Sequence, residues 1–233
     1  MYWLCFALAT AFFEALKDIF SKRGLASKGI DPLLVAWALI VLSVPVMAIP
    51  AFTHPIPSFD LIARMTLGIT APLHLITWFL YMRALSVSDL SECVPMVMLT
   101  PLFMLITGPF FVDEVATRLG ILGILFIVSG SYVLNVAQAS KGLFAPFAAL
   151  LVKKGPRLML VVAAIWSVTA YLDKIGIAHS SAWFWGFSLY AALALLMTLV
   201  LIAVKGREVF NQLTDVRRPL MMIGLSNGLS MVC

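Results

Sequence analysis

Apolar residues in this chain come in runs long enough to cross a bilayer. They occupy about residues 2–22, 33–53, 63–83, 92–112, 117–137, 157–176, 181–204 and 218 onward, and a membrane helix needs ~20 mostly apolar residues to span ~30 Å of hydrocarbon. Eight spans in one chain predict an all-α, polytopic membrane helix bundle with the lipid bilayer as its main solvent. The polar positions fall between the runs, with the first span as the exception: Glu14, Lys17 and Asp18 lie inside its second half. No basic residue precedes that span, so its charge runs opposite to that of a secretory signal.

Composition agrees with this class. Hydrophobic residues make up 62% and charged residues 12% of the chain, against about 45–50% and 25% in soluble domains. The net charge of +5 does not indicate a nucleic-acid partner, because the basic residues form no tail or block. They alternate instead. Lys17, Lys22, Arg23, Lys28, Arg83, Lys141, Lys153, Lys154, Arg157, Lys205, Arg207, Arg217 and Arg218 are assigned to odd-numbered loops, and only Arg64, Arg118 and Lys174 to even-numbered ones. Cytoplasmic loops carry the excess of Lys and Arg. The odd loops are therefore expected inside, the N-terminus outside, and the protein in the plasma membrane. Cys5, Cys93 and Cys233 have neither disulfide nor metal-site spacing, and no metal or cofactor is expected.

The chain also begins to repeat itself. Lys22-Arg23-Gly24-Leu25-Ala26 matches Lys174-Ile175-Gly176-Ile177-Ala178 at an offset of 174 minus 22, or 152, and Leu67-Gly68-Ile69-Thr70 matches Ile223-Gly224-Leu225-Ser226 at 223 minus 67, or 156. A five-span unit crosses the membrane an odd number of times, so its second copy must enter from the other side, giving an inverted repeat. The expected units are a first repeat at 1–137, a linker at 138–156 lying as an amphipathic segment on the inner surface, and an incomplete second repeat at 157–233. About eight of ten helices are then present, since the offset predicts an end near residue 290.

Tyr81-Met82-Arg83-Ala84-Leu85, Pro101, Val112-Asp113-Glu114 and the glycines Gly120, Gly123 and Gly130 up to Leu134-Asn135 resemble the EamA-type module of the drug/metabolite transporter superfamily. The resemblance implies a ten-helix transporter of two inverted five-helix repeats, moving a metabolite or drug through a central cavity. Two features depart from the family pattern: the N-out orientation and the length.

The residues suggest chemistry of their own. A carboxylate at the centre of a span is costly to ionise, so Glu14 is a candidate for proton or substrate binding. Glu14 with Lys22 also resembles the first helix of small multidrug resistance transporters, which implies alternate binding of protons and a cationic drug. The competing reading is an ion pair with Lys17, one turn away. His74 is a candidate proton carrier or an interhelical hydrogen-bonding group, and with Trp78 and Tyr81 it forms one polar-aromatic helix stripe. Trp166 and Tyr171 are candidates to join that stripe from the sixth span.

Pro95, Pro101 and Pro109 in span four each remove a backbone donor, predicting a kink beside a cavity or one used for packing. Gly120, Gly123 and Gly130 predict a close helix approach. Asp89 with Glu92 and Asp113 with Glu114 are placed to cap helices.

The sequence thus predicts a secondary active, exporter-like transporter of small molecules working by alternating access, with proton coupling and a second copy of the chain as candidate partner. No catalytic residue is expected. The alternatives are an incomplete, non-transporting or partner-dependent membrane protein, and an intramembrane serine hydrolase. The last rests on Gly224-Leu225-Ser226-Asn227-Gly228, which satisfies G-x-S-x-G with His74 or His179 as its base. The run ending at Cys233 has no polar flank, which suggests an interrupted chain.

Overall fold

A computed structural model describes residues 2–28, 30–111, 117–134, 152–206 and 213–232. The helices among them are α1 (Tyr2–Lys28), α2 (Pro32–Thr53), α3 (Leu61–Val87), α4 (Leu90–Val97), α5 (Thr100–Phe111), α6 (Arg118–Leu134), α7 (Lys154–Ala178), α8 (Ala182–Lys205) and α9 (Leu213–Val232). No strand occurs among the described residues, and the protein is an all-α polytopic bundle. Short polar side chains set the helix starts. Asp31 accepts the Leu33 amide at 2.9 Å with Pro32 at the first helical position, Asp60 accepts Ala63 at 2.9 Å, and Ser181 accepts Phe184 at 3.3 Å, each satisfying an amide the helix itself leaves free.

Five stretches are long and apolar enough to cross a membrane: Pro32–Thr53, Leu61–Val87, Leu90–Phe111, Lys154–Ala178 and Ala182–Lys205, with Arg118–Gly130 apolar but shorter. The remaining two, α1 and α9, carry more ionisable residues. In α1 Lys17 and Asp18 point inward. Its buried face is Lys17, Asp18, Ser21, Gly24 and Leu25, and its exposed face includes Leu4, Phe6, Leu8, Phe12 and Ile19. Polar inside and apolar outside is the pattern of a helix whose surroundings are hydrocarbon.

The fourth span is not one helix. It breaks at Met98 and Leu99 into α4 and α5, and the cause is Pro101, which has no amide to offer the Val97 carbonyl. The Thr100 hydroxyl donates to that carbonyl instead, at 2.6 Å. In an apolar medium a freed carbonyl needs such a substitute.

α3 packs along α7, which also meets α4 and α5, while α9 packs along both α1 and α2, and α2 along α8. Contacts between chain turns join like with like. The odd turns are linked by Lys205 to Asp31 (2.6 Å), by the Lys153 to Glu92 ion pair, and by Lys22 donating to the Leu85 and Ser88 carbonyls (2.9 and 2.7 Å). The even turns are linked by His179 to Asp60 (2.8 Å) and by His54 stacked on Trp183. Odd and even loops thus lie at opposite ends of the bundle.

Several expectations change. Lys17 is not a loop residue but is buried inside α1, so the count becomes 13 minus 1, or twelve, against three. Asp89 stands at the α4 N-cap and Glu92 in the first turn of α4, as expected, but Asp89 makes no side-chain cap bond and Glu92 also pairs with Lys153. A side chain added at Gly123 or Gly130 would meet nothing within 4 Å, so neither serves a close approach to a described residue. Asp113, Glu114, Asn135, Cys233 and the linker up to 151 lie outside the described residues.

The close approach occurs on α9. A Cβ at Gly224 would lie 2.3 Å from Leu42 Cβ, and one at Gly228 2.9 Å from Val46 Cβ. The two glycines are four apart, so they share one face and let α9 sit directly on α2, as small-xxx-small pairs do. That is the work of the G-x-S-x-G residues. Ser226 is buried within a continuous helix rather than on the strand-to-helix turn a nucleophile elbow needs.

Candidate functional site

The bundle encloses a cavity of about 520 Å³. Glu14 and Lys17 of α1, His74 and Trp78 of α3, Thr100 of α5, Trp166 and Asp173 of α7, Trp185 and Tyr190 of α8 and Met231 of α9 all face it. It reaches Ile177, Ala182 and Trp183 at the turn between α7 and α8, and so extends to the even-loop end.

One wall is built around Lys17, whose side chain is about 2% exposed. Its ammonium pairs with Glu14 Oε2, lies 3.6 Å from Asp18 Oδ1, and sits 5.2 Å and 5.4 Å from the ring centres of Trp78 and Tyr81. Burying a cation is tolerable when carboxylates and aromatic faces replace its water. The carboxylates are in turn held by the rest of the bundle. The Tyr81 hydroxyl donates to Asp18 Oδ1 at 2.7 Å, and the Ser230 hydroxyl to Glu14 Oε1 at 2.8 Å. Tyr81 stacks on Trp166, which meets Trp78 edge-on and donates its indole N–H to Thr77 Oγ1 at 3.1 Å.

The facing wall centres on Asp173. Its Oδ2 lies 3.2 Å from His74 Nε2 and its Oδ1 accepts the Trp185 indole N–H at 3.0 Å. Gly176 makes this possible, since a Cβ there would fall 2.3 Å from the Trp185 ring. Deeper, Asn227 Nδ2 donates to Ser43 Oγ (2.9 Å) and to the Tyr190 hydroxyl oxygen (3.2 Å), tying α9 to α2 and α8.

Of the residues singled out from sequence, Glu14, His74, Trp78 and Trp166 face the cavity, and Tyr81 lies buried behind it. Glu14 has the ion-pair geometry with Lys17, and His74 has an interhelical partner. Pro101 breaks the helix just before Thr100, which lines the cavity, whereas Pro95 is buried within α4. Tyr171 turns away, donating to the Met104 carbonyl at 3.0 Å and stacking on Phe111. Sequence reasoning missed Asp173, Trp185 and Asn227. For Asp173 the signal was present: an acidic residue inside the span at 157–176 is a functional candidate by default.

The model of the EamA-like transporter family matches residues 1–136, over half of the chain. This chain belongs to the EamA-like transporter family. A relative from Sinorhizobium sp, named an uncharacterized transporter in the cobO 3' region, is 31% identical over 137 residues, covering 58% of this chain and 96% of the relative. A crystal structure of a protein aligns over 97% of this EamA-like chain and 79% of its own, with TM-score 0.54 and 18% identity, a likeness of fold. The EamA-like protein is accordingly a multi-pass membrane protein and a transporter.

Proposed function

We propose that this EamA-like protein is a secondary active transporter that exports small organic solutes across the plasma membrane by alternating access, with its N-terminus outside. The carrying observation is the cavity of about 520 Å³, large enough for a small metabolite and walled by helices from both halves of the chain. Its aromatic faces suit an apolar body, and Glu14, Lys17 and Asp173 suit charged groups. An inverted repeat of 1–137 and 157–233, joined by 138–156, is supported by the packing. Exchanging α1 for α7 and α3 for α9, as the offset of 152 to 156 requires, turns the α3 to α7 contact into the α1 to α9 contact.

In this reading the odd-loop end is cytoplasmic, with twelve basic residues against three. That end is held by Lys22, Lys153 and Lys205, while the cavity reaches the even-loop end, so the conformation faces outward. The test is solute binding followed by transport. Small aromatic and charged solutes are screened for a rise in the melting temperature of the purified full-length protein, about 2.7 kcal/mol of stabilisation being expected at 100 times Kd. Stabilising solutes are then measured for counterflow into proteoliposomes. Exchange above protein-free vesicles is expected; binding solutes that never exchange would refute transport.

A further inference from the structure

We infer that His74 and Asp173 form the proton-binding site that couples transport to a proton gradient. The inference rests on the transporter reading and deepens it by assigning the coupling ion to particular atoms.

Among the described residues two carboxylates face the cavity, and they differ in what compensates them. Glu14 is matched by the Lys17 ammonium and further held by Ser230. A fixed cation already balances its charge, so taking up a proton there would break an ion pair. Among the described residues, Asp173 is held by an imidazole on one oxygen and a neutral indole N–H on the other. A carboxylate within the membrane is costly unless compensated, and a proton on His74 supplies that compensation. Histidine is the side chain whose ordinary titration lies near neutrality.

The proton balance is simple. With the proton absent, neutral His74 donates Nε2–H to Asp173 Oδ2 and the pair carries one negative charge. A hydronium ion reaching the cavity transfers its proton to Nδ1 and leaves water, and the pair becomes an imidazolium and a carboxylate of net zero charge.

The surrounding groups leave this pair its role. Glu14 and Lys17 face the cavity from α1, with Asp18 behind them sharing the Lys17 ammonium at 3.6 Å and accepting from Tyr81. α8 contributes the Tyr190 phenol, α2 only Met47 and Pro50, and Glu92 of α4 is engaged with Lys153 at the other end. Lys174, next to Asp173 in sequence, is exposed.

The site is also placed to move helices. Asp173 on α7 is shared by α3 through His74 and by α8 through Trp185. Protonating His74 draws the carboxylate's charge toward α3 and weakens its hold on Trp185. Trp185 lies in the first turn of α8, beside Ala182 and Trp183 at the cavity mouth. The proton thereby changes the energy of the mouth's two positions, which is what a coupling ion must do.

Two measurements test this in the full-length protein in nanodiscs. In the first, the imidazole resonances of His54, His74 and His179 are followed against pH, with His74 assigned by His74→Gln. The pH response of the His74 resonances is expected to change in Asp173→Asn while those of His54 and His179 do not, and an unchanged His74 response would overturn the pairing. In the second, spin labels at Ser58→Cys and Ala182→Cys, with Cys5, Cys93 and Cys233 replaced by alanine, report the width of the mouth as pH is changed. A pH-dependent distance change is expected in the parent and in His179→Gln, and its loss in His74→Gln and Asp173→Asn. The assignment is overturned by a parent distance that does not respond to pH, by a response that survives both substitutions, or by one that only Glu14→Gln removes. None of these outcomes touches the counterflow measurement, so coupling can fail while transport stands.

Discussion

Replacing Lys17 by methionine keeps most of the side-chain volume and removes the charge. In the native bundle the ammonium is enclosed by Glu14, Asp18, Trp78 and Tyr81 with about 2% of the side chain exposed. Removing it leaves two carboxylates within one helical turn, repelling each other away from bulk water. Breaking a buried pair on one side costs about 3–5 kcal/mol, while a surface pair is worth about 0–1. The Glu14 side chain is about 35% exposed to the cavity and recovers some hydration, so the expected loss lies near the lower figure, about 3 kcal/mol. Unfolding of the full-length protein in detergent, followed by helical circular dichroism, measures it. Adding Asp18→Asn to Lys17→Met is expected to restore at least half of the loss, because one uncompensated charge is gone and Tyr81 keeps a hydrogen-bonding partner. A Lys17→Met variant within about 1 kcal/mol of wild type would refute the argument, as would a double variant less stable than the single.

The α2 to α9 contact predicts that Gly224→Ala destabilises by about 1–3 kcal/mol in the same assay, through overpacking against Leu42. Gly123→Ala, where the added methyl meets nothing, is expected to be neutral or stabilising by up to about 1 kcal/mol. In the loop before α3, the Ala63 amide and then His179 hold the Asp60 carboxyl below its ordinary range. A depressed carboxylate stabilises the fold above its unfolded value and loses that contribution as pH falls through its folded one. The difference in stability between wild type and Asp60→Asn is therefore expected at pH 7, should begin to shrink as pH falls below about 4, and should vanish only below the lowered folded value.

The helices and their ends were legible because a bilayer imposes a length and an apolar composition that can be read position by position. Loop parity was legible from charge, except at Lys17, which sits in a span and so escapes any count based on nearness to a helix end. Glu14, His74, Trp78 and Trp166 were found because polar and aromatic groups inside apolar runs stand out. Asp173 was not, since Lys174 follows it and the two together look like the rim of a span; only the fold brings His74, 99 positions earlier, against it. The glycines of α6 and α9 show the same limit from the other side. Spacing says which glycines share a face, but whether a neighbour approaches that face depends on helices far away in the chain.

The polar stripe of α1 bears on how the chain enters the membrane. Glu14, Lys17 and Asp18 fall within five positions, and each Asp or Lys at the centre of a lone helix costs about 2.5–3.5 kcal/mol on insertion. Their partners are made later: Trp78 and Tyr81 arrive with α3, and Ser230, 216 residues after Glu14, with α9. Although α1 is synthesised before α3 and α9, its contacts are complete only when both have arrived. It must wait at the insertion machinery or in water until α3 arrives, so the earliest stable unit in the bilayer is a group of helices and not α1 alone.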